Sequence, residues 1–163
     1  MKKVYLLTIG ILFFGIAMQS CTHIDMYQKQ VALNHNVWDH KEKASFEFNI
    51  EDTAANYQLY FLIRHTDAYP FSNIWLSITT QLPGEKQGVE SKVEIPLADK
   101  NGKWLGRGMG EIYEQLMPLS GTSGHSKFTK KGMYKITFQQ IMRENPLPEI
   151  LQVGLRVEKQ KTN

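Results

Sequence analysis

Apolar and polar residues alternate along most of this chain from residue 45 onward. Phe46, Phe48 and Ile50 interleave with Ser45, Glu47 and Asn49, the period of a strand with one face buried. Residues 57–64 are apolar at nearly every position, so a central strand is expected, with Leu59, Phe61 and Ile63 on one side and Tyr60 and Leu62 on the other. Over residues 73–80, Ile74, Leu76 and Ile78 point inward and Trp75, Ser77 and Thr79 outward. Val89, Val93 and Ile95 share the buried face of a further strand, opposite Glu90, Lys92 and Glu94, and Pro96 ends it. Tyr134, Ile136 and Phe138, then Leu151, Val153, Leu155 and Val157, mark two more.

Turn chemistry separates these runs. Pro83-Gly84 and Asp99-Lys100-Asn101-Gly102 suit tight turns, and residues 118–131, with Ser120-Gly121-Thr122-Ser123-Gly124, form a long loop. Residues 111–117 fit either a short strand or one helical turn, and residues 140–145 fit a turn of helix before Pro146 and Pro148. With no long amphipathic helix, the pattern predicts an all-β fold. A single β-sandwich is expected, its strand order jelly-roll or immunoglobulin-like.

The N-terminus departs from this alternation. Lys2 and Lys3 precede an apolar run over residues 4–17, followed by Met18-Gln19-Ser20-Cys21. About 14 residues is short of the roughly 20 that span a bilayer, so the segment is expected to be a cleaved secretory signal. Cys21 is the only cysteine and has no partner for an internal disulfide. Its place resembles the lipobox of bacterial lipoproteins, in which the thiol receives a diacylglyceryl group and the new amine is acylated after cleavage. Lipidation at Cys21 is therefore expected. One acyl chain holds weakly and several hold for good.

The resulting domain boundaries are a lipoprotein signal peptide at 1–20, a lipidated tether at 21–36, the sandwich at 37–159 and a polar tail at 160–163. Without Lys2 and Lys3, 17 of the 19 basic residues remain against 16 acidic ones. That near balance, with no basic stripe, argues against nucleic acid as a partner.

Candidate chemistry is sparse. His23, His35 and His40 lack the spacing of a metal site, and Asp99 to Gly102 lacks the later ligands of a calcium loop, so no metal or cofactor is expected. The glycines at 102, 106, 108 and 110 surround Trp104 without the layout of a phosphate loop. Ser72, His65 and Asp67 are close in sequence, which is not the spatial arrangement a hydrolase needs. Exposed tryptophans, with Tyr60 and Tyr113, would offer sugar rings a stacking platform, and alternation turns only Trp75 away from the apolar set. Arg64 ends a strand that is apolar on both faces, so it requires a carboxylate or carbonyl partner or a partner surface.

Several blocks stand out: Trp38 with Phe46-Glu47-Phe48, Ile63-Arg64-His65, Tyr69-Pro70-Phe71-Ser72-Asn73-Ile74-Trp75, Leu97-Ala98-Asp99 to Gly102-Lys103-Trp104, Met142-Arg143, and Val153-Gly154-Leu155-Arg156-Val157-Glu158. Together they resemble the GldH gliding-motility lipoproteins of Bacteroidetes. The resemblance implies a non-enzymatic lipoprotein of the Gram-negative envelope, acting with other envelope proteins in gliding and linked to type IX secretion. Outer-membrane attachment facing the periplasm is expected, with Arg64, Tyr69, Trp75 and Trp104 as candidate partner-binding residues. A glycan-binding sandwich is the alternative, and a hydrolase a more distant one.

Overall fold

The computed structural model describes residues 26–119 and 126–160. The expected signal segment, Cys21 and the first part of the tether lie outside the described residues, as do 120–125 and 161–163.

The strands are β1 (Met26–Ala32), β2 (Val37–Trp38), β3 (Ala44–Ile50), β4 (Tyr57–Thr66), β5 (Asn73–Gln81), β6 (Val89–Pro96), β7 (Arg107–Met109), β8 (Ile112–Pro118), β9 (Gly132–Gln140), β10 (Leu147–Pro148) and β11 (Ile150–Lys159). One sheet has the order β1-β11-β4-β8-β7, the other β3-β9-β5-β6, and β10 pairs with β2. Successive strands cross repeatedly from one sheet to the other, and the eight long ones fall into jelly-roll order. The strand pattern thus resolves the two sandwich orders left open by alternation. Every ladder is antiparallel.

Burial follows the alternation. Along β3 every second residue is buried, and β4 buries Leu59, Phe61 and Ile63. Phe46, Phe61 and Phe138 meet midway between the sheets, with Phe138 5.6 Å from Phe46 and edge-on to Phe61 at 5.0 Å. Aromatic groups also close both ends. Phe48, Tyr57, Phe128 and Tyr134 pack at the end where Met26 enters, and His65, Tyr69, Trp104 and Tyr113 pack at the other. Ten-residue strands at about 3.3 Å per residue place these ends about 30 Å apart.

Some expectations change. The tether does not extend to residue 36, because β1 pairs with β11 from Met26↔Glu158 to Ala32↔Gln152. As an edge strand it packs only Tyr27 and Val31 against the core, and exposed Lys29 falls on the same side, so its alternation is weak. Val89 does not share the burial of Ile95: it is 68 % exposed, on edge strand β6 beside the hairpin turn. Residues 112–118 are strand, not helix. Residues 141–146 bend without forming a helix. The turn at residues 99–102 forms as expected, with Asp99 Oδ1 accepting from the N–H groups of Asn101 and Lys103 at 2.8 and 2.9 Å.

Core and rim positions should separate cleanly in chemical denaturation. Phe138→Ala is expected to cost about 3–5 kcal/mol through cavity formation. Val89→Ala should stay within about 0.5 kcal/mol.

Candidate functional site

The end away from Met26 is organised by a buried amide. Gln140 is fully buried, and its Nε2 donates to Trp38 O at 3.0 Å and to Asn145 Oδ1 at 3.1 Å, while its Oε1 accepts from Met142 N–H at 2.9 Å. Trp38, also fully buried, donates from Nε1 to Glu42 O at 2.7 Å. A buried amide left unpaired costs about 1–3 kcal/mol, so these bonds set the path of residues 141–146. A second buried amide, Gln115, donates to Pro96 O at 2.9 Å and ties the two sheets.

His65 sits between the sheets at this end and is fully buried. Its ring is 4.6 Å from Trp104, 5.5 Å from Tyr69 and 5.9 Å from Tyr113. Nδ1 donates to Thr66 O at 2.7 Å, and Nε2 has no hydrogen-bond partner. Burial pushes the imidazole pKa down, against the smaller upward pull of the Thr66 carbonyl. Gly108 makes the enclosure possible, because a Cβ there would lie 2.9 Å from the Tyr113 ring. With Nδ1 on the Thr66 carbonyl and Nε2 without a partner, no hydrogen bond of His65 reaches Ser72 or Asp67.

The four candidate partner residues do not form one patch. Tyr69 is 3 % exposed, and its hydroxyl donates to Asn73 O at 3.0 Å, so it shapes the loop before β5 and presents nothing to a partner. Burial raises its pKa. Trp104 is half-buried against His65. Arg64 and Trp75 point outward from opposite sheets.

Trp75 is 39 % exposed and lines a groove of about 400 Å³ with Phe71, Asn73, Ile141, Met142, Arg143 and Glu144. Its backbone is held on both sides: its N–H donates to Met142 Sδ at 3.2 Å, and its carbonyl accepts from Ile141 N–H at 2.9 Å. Glu94 lies directly across from it on β6 and accepts a hydrogen bond from Asn73.

On the other sheet, Arg64 donates from Nη1 to Gln152 Oε1 at 3.2 Å, with its Nε 3.6 Å from Glu114 Oε2. Both charged side chains are more than a third exposed, so this pair is worth at most about 1 kcal/mol. Four residues along the same face, Arg156 places its guanidinium 6.0 Å from the Tyr60 ring centre and pairs with Glu158. Between these arginines Leu62 is only 2 % exposed although it faces outward. Gly154 lies opposite it, where a Cβ would sit 2.9 Å from Gln30 Cγ. Arg156 and Met142 were not singled out as site residues in the sequence, although both fall inside the blocks that carry the family resemblance. Their outward alternation and their place beside a proline-bounded bend are the signals that mark them.

Among the described residues no cluster of three His, Cys, Asp or Glu could hold a metal ion. No helix among them is long and apolar enough to cross a membrane.

The model of the family described as GldH lipoprotein matches residues 25–157. The chain is 29 % identical over 155 residues to a gliding motility lipoprotein GldH homolog of Christiangramia forsetii, covering 91 % of this chain and 92 % of that one. It is 25 % identical over 155 residues to gliding motility lipoprotein GldH of Flavobacterium johnsoniae, covering 91 % and 93 %. Among solved structures, a carbohydrate-binding module specific for non-crystalline cellulose, CBM28, overlaps with a TM-score of 0.46 at 9 % identity, over 82 % of this chain and 73 % of that chain. A likeness of that size says nothing about ligands.

The buried imidazole gives the fold a pH dependence. His65 has a lowered pKa in the folded state, so below about pH 6.5 the unfolded chain binds a proton that the folded chain refuses. Stability should therefore fall as the pH is lowered from 7 through 6.5, in denaturation curves taken across that range. His65→Phe should flatten this part of the profile.

Proposed function

Because the chain belongs to the GldH lipoprotein family, we propose that it is a lipid-anchored, non-enzymatic envelope protein that docks another protein of a gliding-motility or type IX secretion complex. Its docking surface is the outer face of the five-stranded sheet around Arg64. The observation that carries this reading is the row of Arg64, Tyr60 and Arg156 on that face, with Arg64 beside Glu114 and Arg156 paired with Glu158. Arginine and tyrosine are the residues that most often anchor protein interfaces, and pairing to Glu114 and Glu158 offsets the charge that an interface would desolvate. Strands about 20–30 Å long, about 4.8 Å apart, give this face on the order of 500 Å². That is a large part of the roughly 800 Å² that one partner contributes to a standard interface.

Anchoring at Cys21 leaves only a short chain before Met26. At about 3.4 Å per residue that stretch reaches no more than about 17 Å. The Met26 end would thus stand near the bilayer and the Trp104 end away from it. In this reading the anchor lies in the outer membrane and the domain faces the periplasm.

Two variants test the scheme. Cys21→Ser is expected to lose acyl mass from the mature N-terminus and to leave the membrane pellet, measured by mass spectrometry and fractionation. Arg64→Ala should abolish co-purification of envelope proteins while circular dichroism and melting stay near wild type. Retention of the same partners by a folded Arg64→Ala protein would refute docking through this face.

A further inference from the structure

We propose that the Trp75 groove binds a neutral pyranose glycan, with the indole as its stacking platform. The site is independent of the Arg64 face and lies on the opposite sheet.

The outer face of the four-stranded sheet is almost wholly hydrophilic. Around Trp75 it presents Thr79, Glu90, Lys92, Glu94, Thr137 and Gln139 above a buried Ser77, and its apolar exception among the described residues, Met133, lies at the far end. An exposed indole on such a face is the observation to explain. At about 400 Å³ the groove falls within the roughly 300–1,000 Å³ of small-molecule sites, and its lining mixes apolar Phe71 and Met142 with Asn73, Arg143 and Glu144.

The surroundings decide between a protein and a sugar. Side chains at the centre of protein interfaces sit in dry pockets depleted of charge. Trp75 instead has Glu94 directly across the strand pair, Lys92 two residues away on the same face of β6, and Arg143 and Glu144 in the same groove. Burying those groups under an apolar partner would leave them unpaired, which is costly. A pyranose ring offers an apolar face to the indole and a rim of hydroxyls, each both donor and acceptor, to carboxylate, ammonium, guanidinium and amide.

Preorganisation supports the same conclusion. The Trp75 backbone is held by Met142 and Ile141, Glu94 accepts from Asn73, and Ser77 donates to Glu90 at 2.8 Å, so the backbone beneath the indole and polar groups beside it are in place before binding. The groove lies at the end away from Met26, where an extended polymer can reach it.

Titration of the full-length protein in detergent with cellotetraose and with N,N′,N″,N‴-tetraacetylchitotetraose tests the assignment. Calorimetry should show saturable binding of at least one of them at or below about 1 mM, with a matching change in tryptophan fluorescence. Trp75→Ala is expected to weaken binding by about tenfold or more, and Trp75→Phe by less. Arg64→Ala should leave glycan binding intact, so failure of this site and failure of the protein-docking face give different results. Absence of saturation by either sugar overturns the proposal, as does equal affinity in a folded Trp75→Ala protein. Loss of the co-purified proteins on Trp75→Ala, with no glycan bound by the wild type, would assign the groove to a protein instead.

Discussion

A buried amide must find partners, and Gln140 finds its partners in two segments far apart in the chain. By joining the Trp38 carbonyl, Asn145 and the Met142 N–H, it fastens the start of the domain to the bend between β9 and β10. The bend in turn holds Met142 and Ile141 against the backbone of Trp75. The backbone that carries the exposed indole is therefore held, through the bend, by a side chain that never meets solvent. The adjoining aromatic group around His65 closes the same end by ring packing.

Much of this architecture was legible from residue type alone. Alternation placed β3, β4, β5, β9 and β11, and it put Trp75 on the outside and Phe46, Phe61 and Phe138 inside. It failed where a strand has few core contacts. In β1 the inward positions include Lys29, and its strand state rests on hydrogen bonds to β11 rather than on burial. In β6 the missing neighbour on the outer side exposes Val89. Strand order was beyond reach, because period-two patterns fix faces and not partners.

The candidate site was legible only in part. Charge next to apolar runs pointed to Arg64, and its neighbours Gln152 and Glu114 come from strands 88 and 50 residues away in the chain. Tyr69 looked like a surface residue because turn-forming neighbours surround it, but its hydroxyl is used internally on Asn73. Arg64 and Trp75 are only eleven positions apart in the sequence, and a crossover between sheets sets them back to back. That separation gives one small domain two surfaces with unrelated chemistry.

The pairing of β1 with β11 has a mechanical meaning. A pull entering the domain at Met26 and leaving through β4 runs along the axis of β1, so the seven cross-strand pairs between Met26 and Ala32 resist it together, in shear. Unzipping, in which bonds break one after another, would need a load directed across the strands. Tension applied along β1 thus meets the sheet in its stiffest direction.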